Sequence, residues 1–401
     1  MCADVSKPST LKTPDFGTYP TRIITDLIMH PLGLEVSYND GKSSFHLTLN
    51  LREHSPDSES THPITRETLI APIDIPEDLT ITDAHLRKDG FVAVTWSKKI
   101  TPNDSGCSVY HPGWLYQTGL SDDIDFKMNL EQSLWDAVNF NNIPKSDGAC
   151  ILDDYNEFLK FLINLIRFGV VIIRDLPVQK DILEKLTSKI GAIRSSNFGW
   201  IFDVKTHEDA DSNAYTNVEL PAHNDLSTRE YVPGLQFLYC LENNTDGGFS
   251  TLTDGFSVAH YLKETDPDIY RLLLTQPVNF ASKGQTSDYR IKAPLFHHNE
   301  KGNLDEIRWT CWLRAPLRGS FEEMDKTYHA QREFYRLVND LKFKVEFKLE
   351  PGDMMCVDNR RVFHGRTSFT ESSGARWIRG CYMERDELWS ALRVALRARH
   401  S

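Results

Sequence analysis

Apolar and polar positions alternate in short runs over much of the chain, and a period of two predicts strands. Ser44-Phe45-His46-Leu47-Thr48-Leu49 and Gly90-Phe91-Val92-Ala93-Val94-Thr95-Trp96 are such runs, separated by Asn/Asp/Gly and Pro clusters. They predict a small β-rich N-terminal domain over residues 20–120, closing near His111-Pro112-Gly113-Trp114-Leu115. Residues 1–19 are polar, with Pro8 and Pro14 and no apolar period, and predict an arm rather than a packed element. Residues 121–150 are expected to form a linker with helical pieces. The period then changes: Tyr155, Phe158, Leu159, Phe161, Leu162, Leu165 and Ile166 recur at helical spacing, predicting a helix over Asp153–Phe168 that Gly169 ends. Val170-Val171-Ile172-Ile173 is the β-branched run of a buried strand. A second helix is predicted over Lys180–Gly191, and further helices over Ser257–Leu274, Asp325–Leu341 and Asp386–Arg399. Otherwise strand and turn alternate beyond Gly191. The expected fold class is mainly β with flanking helices: a double-stranded β-helix, or jelly roll, over residues 151–401, plus the small N-terminal domain.

Composition narrows the partners. The 401 residues are 40% apolar and 25% charged, ordinary for a globular protein, with ample length for a core. A formal charge of -12 argues against nucleic acid or an anionic membrane as the main partner. No run approaches the roughly 18 apolar residues of a membrane-spanning helix, and Met1-Cys2-Ala3-Asp4 opens neither a signal nor a transit peptide. A cytoplasmic protein acting on a small molecule is the expectation. Seven scattered cysteines without a C-x-x-C pair fit free thiols better than disulfides or a structural zinc site.

Within the strand-rich half, Pro221-Ala222-His223-Asn224-Asp225-Leu226 stands out. On an extended strand His223 and Asp225 point to one face, which suits joint ligation of one ion. Lys348–Asn359 reads as strand, tight turn, strand, and delivers a distant third donor in Phe363-His364-Gly365-Arg366. Two histidines and one carboxylate can occupy one face of iron(II) and leave the other positions open for chemistry. Arg376 follows in another predicted strand, where its planar fork can hold a carboxylate bidentately. The same ligand set could serve a zinc hydrolase, but Arg376 would then lack a purpose.

The run His223-Asn224-Asp225-Leu226-Ser227-Thr228-Arg229-Glu230-Tyr231-Val232-Pro233-Gly234-Leu235-Gln236, with Gly247-Gly248, Thr253-Asp254-Gly255-Phe256 and Pro351-Gly352-Asp353, resembles the γ-butyrobetaine and trimethyllysine dioxygenase family of iron(II)/2-oxoglutarate oxygenases. So does Asp358-Asn359-Arg360-Arg361-Val362-Phe363-His364-Gly365-Arg366, and the match runs in order over Asp153–Leu396. The resemblance implies iron on His223, Asp225 and His364, the C5 carboxylate of 2-oxoglutarate on Arg376, and O2 as second co-substrate, with ascorbate helpful in vitro. Hydrogen abstraction from a C–H bond of a small zwitterionic metabolite, a betaine or a free amino acid, with hydroxylation and release of succinate and CO2, is the implied outcome. A homodimer is implied as well. In the family an aromatic cage grips a trimethylammonium group by cation–π attraction, worth about 0.5–2 kcal/mol per contact. The matching positions are Phe198, Phe202, Tyr215 and Tyr382, which would equally suit an aliphatic side chain.

Two departures qualify that picture. Where the family directs asparagines at the substrate carboxylate, this chain has Ser212 and Trp309-Thr310-Cys311-Trp312, leaving Asn213, Arg308 or Arg314 as substitutes. The family's three-Cys-one-His zinc site falls on Arg52–Ser60, which holds no cysteine, and serine cannot replace a thiolate as a strong ligand. Both suggest a side branch, in which ring closure onto nitrogen or desaturation of a free amino acid is the alternative to hydroxylation. A non-catalytic metabolite sensor on the same scaffold is the alternative of another class.

Overall fold

The strongest helical stripe in the chain forms Tyr155–Phe168, with the Asp154 side chain accepting from the Glu157 N–H at its start. Gly169 closes it at φ 70°, a left-handed conformation that glycine adopts without strain. Phe158, Phe161, Leu162 and Leu165 are buried on the stripe, and the chain runs directly into the strand Val170–Arg174. In this computed structural model residues 13–120, 130–140, 144–205, 213–284 and 286–398 are described. Most of the predicted arm, residues 121–129 and 141–143 of the predicted linker, Ser212 and Arg399 lie outside them.

The chain divides into two units, Met1–Asn129 with Arg397–Ser401, and Leu130–Leu396. In the first unit, Ile24–His30, Gly33–Tyr38 and Ser43–Leu47 make one antiparallel sheet, and Ile81–Leu86, Val92–Trp96 and Cys107–Tyr110 another. Leu34, Val36, Val92, Val94, Tyr110 and Leu115 form its core. The strand predicted through Leu49 stops at Leu47, where Thr48–Glu53 turns helical. At Arg52–Ser60 the fully buried Arg52 guanidinium donates to Asp104 at 2.8 Å and to Ser60, with Asp57 at 3.6 Å. The two carboxylates and the hydroxyl compensate the buried charge through its terminal nitrogens, while Nε is left without a hydrogen-bond partner.

The second unit is built on two larger sheets. One runs in the order Ile201–Val204, Arg376–Met383, Leu235–Asn243, Met354–Asp358, Val170–Arg174, Lys145–Asp147, with Ile193–Arg194 also on the second of these strands. The other runs Leu220–His223, Val362–Arg366, Ser250–Asp254, Val345–Phe347. The part of the predicted linker at Lys145–Asp147 is thus a strand, parallel to Val170–Arg174. Helices at Gly255–Thr265, Pro267–Thr275 and Phe321–Val338 surround a second apolar cluster around Phe280, Phe296, Trp309, Phe334 and Phe363.

One predicted helix is corrected here. Ser257–Leu274 is two helices that meet at Asp266-Pro267. Proline has no N–H to donate and its ring clashes with the preceding turn, while Asp266, at φ -146°, accepts from the Ile269 N–H and starts the second helix. Pro267 is then at a first-turn position, where its missing donor costs nothing. The mainly-β character, with eight α-helices among the described residues, agrees with the coarse expectation.

Candidate active site

A cavity lies between the two sheets of the second unit, about 760 Å³ when its opening to solvent is included. Its walls come from both: Phe202, Gln236, Leu238, Ile378 and Tyr382 from the larger, and Leu220, His223, Ser250, His364 and Arg366 from the smaller. The arrangement follows from pairing. Leu220–His223 pairs with Val362–Arg366, and His223 lies directly opposite His364. Two histidines distant in sequence therefore stand side by side, their ring centroids 4.4 Å apart.

Asp225 completes the cluster from a different local structure than expected. The strand ends at His223, and Asp225 sits in the turn after it, with Leu226 at a positive φ of 55°. Fully extended backbone did not bring the pair together; the turn did. Asn359 holds that turn: its side-chain oxygen accepts from the Asp225 N–H at 2.9 Å, and its amide donates to the Asp225 and Pro233 carbonyls at 3.0 and 3.1 Å. Asn224, buried, donates to the Asn359 carbonyl at 2.6 Å and accepts from the Trp309 N–H at 2.9 Å.

One ligand atom from each of His223, Asp225 and His364 lies within 4.8 Å of the others, the one such group of histidine, cysteine and acidic residues among the described residues. The donor chemistry fits a metal ion. His223 Nδ1 is 2.9 Å from the Pro221 carbonyl, which can only accept, so Nδ1 carries the proton. Nε2 then faces Asp225 Oδ1, 3.2 Å away, where a metal ion would take the place of the proton the two atoms share. Burial by itself would raise the Asp225 carboxyl, but the charge and hydrogen bonds of His364 and His223 outweigh it and hold it well below the usual carboxylate range. Burial, with His223 beside it, pushes the His364 imidazole down, toward the neutral form that binds metals.

The rest of the cavity wall is aromatic and cationic. Phe198, Phe202, Tyr215 and Tyr382 all line it, with centroid separations of 6.0 Å for Phe198–Phe202, 6.2 Å for Phe198–Tyr215 and 5.1 Å for Phe202–Tyr382. Phe202 lies over Gly380, where a Cβ would come within 2.6 Å of the ring. Arg376 opens the strand Arg376–Met383 and lines the same cavity. Its Nε is buried without a hydrogen-bond partner, and burial lowers the guanidinium to about 10. Arg366, also on the wall, is lowered to about 9, by burial first and by Arg376 second. Two desolvated cations in one cavity form a site for an anion.

Some expected substrate contacts are elsewhere. Arg308 is buried and donates to the carbonyls of Arg229 and Glu230 and to Glu306, so it ties down the segment after Asp225. Arg314 bonds Gln331 and lies 4.8 Å over the Trp309 ring. Neither is among the cavity-lining residues. Long cationic side chains near an apolar helix cluster find carbonyls and ring faces there, which sequence spacing does not reveal. Asn213 begins the short turn Asn213–Tyr215; its side chain lies outside the described residues. Trp312 packs edge-on against His223 with centroids 4.7 Å apart. Sequence reasoning missed Gln236, Asn359 and Arg366. The last donates to the carbonyls of Thr216 and Val218, each at 2.7 Å, and so braces the loop that carries Tyr215.

Comparison with known proteins agrees with this geometry. The Taurine catabolism dioxygenase TauD, TfdA family matches residues 152–382, more than half of the chain. The chain belongs to that family. A γ-butyrobetaine dioxygenase of Pseudomonas sp. (strain AK-1) is 37% identical over 96% of this chain and 99% of its own length. The trimethyllysine dioxygenase of Meyerozyma guilliermondii is 27% identical over 90% of this chain and 93% of its own, and the human γ-butyrobetaine dioxygenase 26% over 90% and 94%. The resemblance read from the motifs therefore holds: the chain is a γ-butyrobetaine dioxygenase-like member of the family. It is an enzyme, a dioxygenase using iron(II), 2-oxoglutarate and O2 on a small molecule.

Proposed function

We propose that the enzyme hydroxylates an unactivated C–H bond of a small zwitterionic metabolite, a betaine or a free amino acid. In this reading His223, Asp225 and His364 hold the iron, and Arg376 binds the C5 carboxylate of 2-oxoglutarate. Phe198, Phe202, Tyr215 and Tyr382 receive the substrate, and Asn213 is the candidate contact for its carboxylate. The observation that carries it is a single cavity with the three-donor group on one wall, an unpartnered buried guanidinium nitrogen on another and four aromatic rings between. The relatives' names, γ-butyrobetaine and trimethyllysine dioxygenase, point to quaternary ammonium compounds as the first substrates to try.

When bound, the iron with 2-oxoglutarate and O2 supplies the oxidant that removes a substrate hydrogen and returns a hydroxyl, with succinate and CO2 released. The chain's own residues do the positioning. Arg376 anchors the far end of the co-substrate so that its keto acid end reaches the three donors. The aromatic rings exclude water from the reacting centre and offer negative ring faces to a cationic head group.

On the same footing we propose that the two sheets of the second unit are the halves of a double-stranded β-helix. Residues 20–120 then form the N-terminal domain, 121–150 the connection, whose Lys145–Asp147 strand joins the larger sheet, and 151–401 the catalytic domain. The six described cysteines are free, which supports a cytoplasmic location, and the family resemblance supports a homodimer, checked by light scattering. The test of the reaction is a mass-spectrometric screen of betaines and free amino acids with iron(II), 2-oxoglutarate, O2 and ascorbate. Gain of one oxygen by a betaine or amino acid supports the reading. Loss of two hydrogens would transfer the same site to ring closure or desaturation, and no substrate-dependent succinate from any compound would count against it.

A further inference from the structure

Asp225 has two carboxylate oxygens, and the structure treats them differently. Oδ1 faces His223 Nε2 at 3.2 Å. Oδ2, 3.7 Å from His364 Nε2, receives two hydrogen bonds from the larger sheet, one from the Tyr382 hydroxyl at 2.6 Å and one from the Gln236 side-chain amide. Both donors come from one cross-strand pair. Gln236 on Leu235–Asn243 lies directly opposite Tyr382 on Arg376–Met383, so the two side chains leave the sheet side by side on one face. Neither donor is a flexible surface group, for Gln236 is 2% exposed and Tyr382 2%. The Tyr382 hydroxyl has a hydrogen to give and the carboxylate oxygen can only accept, so the 2.6 Å contact is a bond from tyrosine to aspartate.

We infer that Gln236 and Tyr382 are positioning residues that hold Asp225 as a one-oxygen ligand. The inference rests on the ligand assignment proposed above. A carboxylate can bind a metal through one oxygen or through both. With two imidazoles, one carboxylate oxygen and a chelating keto acid, five of six positions are filled and one is left. A carboxylate that swings to bind through both oxygens takes the remaining position. Two donors on Oδ2 oppose that swing, because both bonds must break for Oδ2 to reach the metal, and charge-assisted bonds to a partly buried carboxylate are the stronger class. Tyr382 thereby has two duties from one side chain: its ring face lines the substrate space beside Phe202, while its hydroxyl is committed to Asp225 and unavailable to substrate.

The test uses the full chain loaded with Co(II), whose visible absorption reports coordination number without turnover. Tyr382→Phe removes one oxygen atom and keeps the ring; Gln236→Met keeps the length and removes the donor. Groups that orient a metal ligand typically contribute about 10–100-fold in metal affinity. Each variant is therefore expected to weaken Co(II) binding by about tenfold or more. In the 2-oxoglutarate complex each should give a cobalt spectrum different from the parent's. Phe202→Leu, which alters the same wall but donates nothing to Asp225, should leave the Co(II) affinity within twofold. Should Tyr382→Phe and Gln236→Met bind Co(II) as the parent does, with unchanged spectra, the inference is overturned and Tyr382 serves the substrate alone. A melting midpoint of each metal-free variant close to the parent's separates a local effect from loss of fold. If one variant unfolds, the other decides alone. Failure of the underlying ligand assignment would look different: His223→Ala would then bind Co(II) as tightly as the parent.

Discussion

Arg376 shows how much a single residue's surroundings reveal. On a solvated strand an arginine is unremarkable; buried at the cavity wall, with Arg366 also charged nearby and Nε unpartnered, it is poised for an anion. Loss of a hydrogen bond to a charged partner costs about 1.5–3 kcal/mol, so Arg376→Gln is expected to raise the KM for 2-oxoglutarate by roughly tenfold to a hundredfold. Co(II) affinity without co-substrate should stay near the parent value. Steady-state kinetics at varied 2-oxoglutarate, with a parallel metal titration, checks both. That His223, Asp225, His364 and Arg376 are the candidates could be read in the sequence, because their residue types and order are themselves the chemistry, and the structure brings the four to one cavity. Gln236 and Asn359 were not. An amide has no such signature until one knows which carboxylate or backbone it faces.

At the scale of elements, local signals located the helices well and their ends less well. The stripe at Tyr155–Phe168 and its glycine stop lie almost where periodicity puts them, since capping and amphipathicity are local. The break at Asp266-Pro267 was legible too, yet the apolar period running through it concealed it. The junction that matters for the site is the turn around Asp225, joined to the turn before Val362–Arg366 by Asn359. Asn359 is fully buried, and its truncation leaves the Asp225 N–H and two carbonyls without their partner. Each orphaned buried group costs about 1–3 kcal/mol. Asn359→Ala should therefore lower the unfolding free energy by at least about 2 kcal/mol, read as a lower urea midpoint. It should weaken metal binding as well, because Asp225 loses its backbone anchor.

At the scale of the whole molecule, stability depends on acid. In the first unit His46 is buried, 3.0 Å from the Ser44 hydroxyl, and burial holds its imidazole down at about 4 against an ordinary value of 6.5. The unfolded chain therefore binds a proton that the folded unit refuses. Stability from this group is fully present above pH 6.5 and is lost as pH falls toward about 4. The melting temperature should decline across that window, and His46→Gln, neutral throughout, should flatten the decline. Differential scanning calorimetry from pH 7 to about 4 checks it. A profile in which the parent and His46→Gln fall in parallel would remove His46 as the cause.

The sequence by itself determined the chemical inventory: the two histidines, the aspartate, the arginine, the aromatic set and the free thiols. It also determined the mainly-β character and the family, since ordered motifs and periods of two and 3.6 are written along the chain. Only tertiary structure decided which inventory residues share a cavity. Pairing of His223 with His364 and of Gln236 with Tyr382 depends on strand register between segments far apart in sequence. It also decided that Arg308 and Arg314 serve the scaffold, because the carbonyls and rings that engage them come from distant turns. Register and long-range packing arise when the whole chain buries its apolar faces together. The two-sided hold on Asp225 is a property of that closed arrangement and of no local stretch.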